Sequence, residues 1–122
     1  MKLSSLAKLL KGEMSPAFYV VELESELAVH RAALRTKGSS APVAVTEDAA
    51  LKFGRPELAA LCRLYASGAL SAEQLAYTAD VIQLSERVEI SGESVASDLA
   101  TCTDPEINGL LSPAEALAIA GR

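Results

Sequence analysis

Apolar residues return at helical spacing along most of this chain, and the breaks between those stretches share one local pattern. Leu3, Leu6, Leu9 and Leu10 fall on one side of a short predicted helix over about 3–10. Val20, Leu23, Leu27 and Leu34 do the same over about 16–36, and the stretch "KGSSAP" ends that longer helix. "VAVTEDAALKF" follows as two short extended runs around Glu47 and Asp48, which predicts a small β-hairpin near 43–53. Pro56 opens a helix to about Ala66, and Ser71 begins another that reaches about Leu84. "ERVEISGE" is a connection, extended at Val88–Ile90. A fifth helix is expected over about 93–102, and a last one starts at Pro113. The predicted fold class is mainly α: a small helical bundle with one minor β element, in a single domain over 1–122.

The breaks read "KGEMSPAF", "SGALSAEQL" and "NGLLSPAEAL". Each has Gly (Gly12, Gly68, Gly109), one variable residue, an apolar residue, Ser (Ser15, Ser71, Ser112), and then Pro or Ala. A Gly just past a helix end can take the left-handed conformation that caps it. Three residues later, Ser accepts from the free amides of the next helix, and Pro suits that helix's first position. Gln74 and Glu115 stand three residues after Ser71 and Ser112, which completes a capping box at each. The unequal intervals between the three copies exclude a solenoid repeat, so this is a recurrent way of joining helices.

Length and composition agree with that architecture. A chain of 122 residues buries a core without disulfides or metal. Its apolar half is mostly Ala, Leu and Val with only 4% aromatics, which suits close-packed helices better than an aromatic-lined pocket. Lys8 and Lys11 interrupt any leader-like apolar run, and no stretch approaches the roughly 20 apolar residues of a membrane span. A cytoplasmic protein that does not engage membranes is expected. Cys62 lies among Leu58, Leu61 and Tyr65 at helical spacing and reads as a buried reduced thiol; it could meet Cys102 only if the fold brings the two together.

Charge is distributed unevenly. Residues 1–60 carry eight Lys/Arg against seven Asp/Glu, whereas residues 61–122 carry three against nine. An acidic half of this kind repels phosphate backbones and attracts cationic partners, so no nucleic-acid partner is expected. The chain shows no phosphate-binding loop, dinucleotide fingerprint or nucleophile elbow, and its single His30 and two distant cysteines offer no zinc-ligand spacing. His30 sits near the apolar face of the second helix, where a half-buried imidazole or one beside a carboxylate is expected. The reading is a protein without enzymatic activity and without a cofactor.

One stretch resembles a catalogued site. In "DPEINGLLSPAE", Asp104, Glu106, Asn108, Gly109 and Glu115 fall on positions 1, 3, 5, 6 and 12 of an EF-hand calcium loop, with Leu111 on the usual apolar position. Glu at position 3 is longer than the usual Asp or Asn, Pro105 stiffens the entry, and the junction that would serve as a paired hand puts Arg63 at its first ligand. The helix-junction pattern already accounts for Gly109, Leu111, Ser112 and Glu115. A capped turn is the favoured reading, and a calcium module using Asp104, Glu106, Asn108 and Glu115 is the alternative.

The segment Leu61–Ser112, with its "LCRLYASGALS" junction, its "YTADVIQLSE" helix, an acidic stretch and "DPEINGLLS", resembles small helical immunity proteins of bacterial contact-dependent growth inhibition and related polymorphic toxin systems. That resemblance implies binding to a cognate toxin domain and occlusion of its active site. For a basic nuclease, acidic residues would mimic phosphate charge and steer association. Charge clustering selects Glu86, Glu89, Glu93, Asp98, Asp104 and Glu106 as the partner-binding set, with Glu47 and Asp48 at the tip of the expected hairpin as a second cluster. A helical adaptor that docks a partner helix on an apolar face is a further alternative.

Overall fold

The computed structural model describes residues 1–37, 45–103 and 111–122, with the backbone alone for 33–37. Among them are six helices: α1 (Leu3–Leu10), α2 (Pro16–Lys37), α3 (Arg55–Ala66), α4 (Ala72–Leu84), α5 (Glu93–Thr101) and α6 (Pro113–Ala120). Two three-residue strands, β1 (Leu51–Phe53) and β2 (Val88–Ile90), complete the architecture. The molecule is mainly helical, as the apolar spacing predicts.

The helix junctions follow the pattern read from the sequence. Gly12 and Gly68 both adopt the left-handed conformation, at φ 77° and 85°. Ser15 Oγ accepts from the Phe18 amide at 3.2 Å. Ser71 and Gln74 exchange both bonds of a capping box, and Ser112 and Glu115 do the same. Gly109 lies outside the described residues. A third left-handed glycine, Gly92 (φ 95°), starts α5 and is not part of the pattern.

The strands depart from expectation. Leu51–Phe53 does not fold back as a hairpin near 43–53: it pairs in parallel with β2, in the register Leu51–Val88, Lys52–Glu89 and Phe53–Ile90. Thr46 instead bridges Lys2 at the start of α1. Two parallel strands need a crossover, and here α3 and α4 supply it. The alternation along β1 is buried–exposed–buried, so Phe53 enters the core while Lys52 faces out.

α3 is the hub of the packing. It meets α6 most extensively and also contacts α1, α4, α5 and β1. Its Leu58, Leu61 and Cys62 are fully buried together with Leu3, Leu6, Leu27, Phe53, Ile82 and Leu99. Tyr65 donates its hydroxyl to the Leu111 carbonyl, which ties α3 to the entry of α6. α2 contributes Tyr19, Leu23 and Leu27 to this core. Burial costs a phenol its water, and the Tyr19 hydroxyl is compensated by Thr78 Oγ1 at 2.8 Å on α4 and by the Met1 sulfur. His30 is half-buried, edge-on to the Tyr77 ring. Cys62 and Cys102 are both buried and free, the fold brings the two thiols close enough to influence each other, and Cys102 Sγ donates to the Asp98 carbonyl at 3.4 Å. The neighbouring Cys62 thiol and burial push the Cys102 thiol up.

Candidate protein-binding surface

The carboxylates that the sequence groups into two acidic clusters play three different parts. Glu47 organises the turn that leaves α4. Its Oε1 accepts from Ser85 Oγ at 2.7 Å and from the amides of Glu86 at 2.7 Å and Arg87 at 3.3 Å. Arg87 returns a bond to the Glu47 carbonyl at 3.1 Å. The hydroxyl of Ser85 and the amide of Glu86 hold the Glu47 carboxyl below its ordinary range. Asp48 acts on α1 in the same way. It accepts from the Ser4 hydroxyl at 2.6 Å and the Ser4 amide at 3.0 Å, and these bonds lower its pKa. Glu47 and Asp48 are therefore not the tip of a hairpin. They are long-range caps, satisfying donors some 40 residues distant in sequence.

Asp98 is also not a rim residue. It is only 9% exposed, on the inner face of α5. Arg122 Nη1 donates to its Oδ1 at 2.6 Å, and Arg55 Nη1 stands 2.8 Å from its Oδ2. The Arg55 contact is a close ion pair without hydrogen-bond alignment, while Nη2 of the same guanidinium bonds Ser94 Oγ at 3.0 Å. One carboxylate thus ties α5 to the start of α3 and the end of α6.

Among the described candidate acids Asp48 is exposed but bonded to Ser4, and Glu86, Glu89 and Glu93 are the other exposed ones. All three lie on the segment from the end of α4 to the start of α5. That segment is held at one end by Glu47 and in its middle by the pairing of β2 with β1. The strand register places Lys52 beside Glu89, which offsets part of the charge there. Asp104, Glu106 and Asn108 lie outside the described residues, so the geometry of a calcium loop is not on view. Glu115, the twelfth position of that loop, spends Oε1 on the Ser112 amide and is accounted for as a helix cap.

A second surface has no counterpart in the acidic run. Phe18, Val21 and Val29 on α2 are 60%, 75% and 71% exposed, on the side of the helix away from the core. By contrast, a cleft lined by Met1, Ser5, Tyr19, Glu22, Leu23 and Glu26 holds about 180 Å³ including its open mouth. That is below the roughly 300–1,000 Å³ of small-molecule sites. No helix among the described residues is long and apolar enough to cross a membrane. No protein-family model matches the chain, and neither does any curated protein or solved structure.

Proposed function

We propose that this protein binds and neutralises another protein, as an immunity-type inhibitor of a basic toxin domain. The observation that carries the proposal is the exposed trio Glu86, Glu89 and Glu93 on a connection that is fixed before any partner arrives. Glu47 and the β1–β2 pair hold that connection, so little ordering entropy is lost on docking. Carboxylates displayed in this way favour a cationic partner and speed the encounter. The resemblance of Leu61–Ser112 to immunity proteins of toxin systems supplies the partner class.

The test uses the C-terminal domain encoded immediately upstream of this protein's gene. That domain expressed alone is expected to arrest growth, and co-expression of this protein is expected to restore it. Binding of the purified pair should weaken steeply with salt, and the triple variant Glu86→Lys, Glu89→Lys, Glu93→Lys should lose rescue while remaining folded. A toxic neighbour that kills regardless of this protein would refute the reading. So would rescue and binding that the triple variant leaves intact, because the acidic trio would then not be the contact surface.

A further inference from the structure

α2 is apolar on two opposite sides. Tyr19, Leu23 and Leu27 face the core, yet Phe18, Val21, Ser25, Ala28, Val29 and Ala32 are not charged and fall within an arc of about 100° on the outward side. These positions recur at intervals of three and four, the a/d spacing of a two-helix seam, and run about 21 Å along the helix. A surface helix ordinarily carries charge on its outer face. This one carries its charges on the flanks of the stripe, with Glu24 and Arg31 seven residues apart along one edge.

We propose that the outward face of α2 is the interface of a two-fold dimer, in which α2 of one copy lies antiparallel against α2 of a second copy. One register pairs the central seam positions and the flanking charges, and leaves Phe18 at each end of the seam. With Phe18, Ser25 and Ala32 as a positions and Val21 and Ala28 as d positions, antiparallel layers pair Val21 with the partner's Ala32 and Ser25 with the partner's Ala28. The same register brings Glu24 on the edge toward the partner's Arg31, and the two-fold axis repeats that pair. Glu24 and Arg31 already bond each other within one copy at 2.8 Å, and Arg31 is held in place by Glu73 at 2.9 Å. The dimer therefore closes a ring of four alternating charges. A parallel arrangement would place the acidic first half of each helix, with Glu22, Glu24 and Glu26, beside its own copy. The antiparallel one sets that half against the second half, which presents Arg31. The interface is isologous, as a closed dimer requires. It lies on a different element from Glu86, Glu89 and Glu93 and does not depend on the toxin reading.

Sedimentation velocity of the full chain across a concentration series tests this directly. The parent is expected to move from monomer to dimer with rising concentration. Val21→Asp, Glu24→Arg and Arg31→Glu are each expected to weaken the dimer by about tenfold or more, with far-UV circular dichroism unchanged. An equimolar mixture of Glu24→Arg and Arg31→Glu restores opposite charges across the seam, so dimer should reappear where neither variant alone forms it. A parent that stays monomeric throughout overturns the proposal, including the case in which some other protein covers this face. A dimer that all three substitutions leave intact overturns it as well, because a different surface would then hold the copies together.

Discussion

Replacing Asp98 by Asn should destabilise the protein by about 2 kcal/mol. The substitution keeps the side-chain volume and removes the charge that two guanidinium groups share. Breaking a fully buried ion pair by deleting one partner costs about 3–5 kcal/mol, since the remaining charge is left desolvated. Here the Asp98 side chain is 13% exposed, Arg55 32% and Arg122 58%. The Arg122 contact therefore approaches a surface bridge, worth about 0.2–1 kcal/mol. The Arg55 side dominates, because its Nη1 atom is itself buried and has no aligned acceptor to fall back on. At this chain length 2 kcal/mol corresponds to a fall of roughly 6–12 °C in Tm, readable by calorimetry or by urea unfolding. Arg122→Ala should cost less than half as much. In an Arg55→Met background, Asp98→Asn should lose most of its effect, because the stranded cation is gone. A loss below about 0.5 kcal/mol for Asp98→Asn would refute the reasoning, as would an equal loss in the Arg55→Met background.

The long-range caps predict how stability responds to acid. Folding lowers the pKa of Glu47 and Asp48 from ordinary values of 4.5 and 3.8, so the stability they contribute is complete above those values. It is lost as pH falls through the lowered folded-state values, and urea midpoints measured from pH 6 down to pH 3 should show Glu47→Gln flattening that decline. Gly68→Ala should cost about 1 kcal/mol: an added Cβ would meet nothing within 4 Å, but φ of 85° disfavours any L side chain. Gly54→Ala, where φ is −119° and the nearest atom stands 3.6 Å from the new Cβ, should change the urea midpoint far less. Both cysteines are buried, so an aromatic disulfide reagent should titrate neither thiol in the native protein and both in denaturant; rapid native labelling would contradict the packing around α3 and α5.

Helix positions and junctions were legible in the sequence because their causes are local. The capping serines and the left-handed Gly12 and Gly68 act within four residues of themselves, and apolar spacing marks the buried faces. The strand at Leu51–Phe53 was also legible, but its partner was not. Two helices separate it from Val88–Ile90, and a three-residue strand carries too little pattern to choose a mate. Glu47 and Asp48 looked like an exposed tip for the same reason: the donors they satisfy are distant in sequence. Asp98 differs, because a local signal was present. Val95, Asp98, Leu99 and Cys102 occupy one helical face at spacings of three, four and seven, and the other three are apolar core residues. A carboxylate on such a face calls for a buried cation, which charge counting along the chain does not reveal. The outward face of α2 is hard to read for the opposite reason: Tyr19, Leu23 and Leu27 already supply one adequate apolar face, and only the fold shows which side of the helix stays exposed.

The acidity of the second half takes on a different meaning in the folded protein. Arg31 and Arg55 belong to the basic-leaning first half, and each is neutralised by a carboxylate of the second: Glu73 for Arg31 and Asp98 for Arg55. Glu115 is absorbed by a helix cap. Part of the imbalance along the chain is thus complementary charge that meets on folding, and that part gives no indication of an external partner. Among the described carboxylates of that half, Glu86, Glu89 and Glu93 stand together on one exposed connection. Charges there are exposed and lie within a Debye length, about 8–10 Å, of any partner seated on that connection, so binding through them must weaken as salt rises. An apolar seam along α2 has no such dependence beyond its flanking Glu24 and Arg31. A complex made through Glu86, Glu89 and Glu93 should therefore weaken more steeply with salt than one made through the apolar seam of α2.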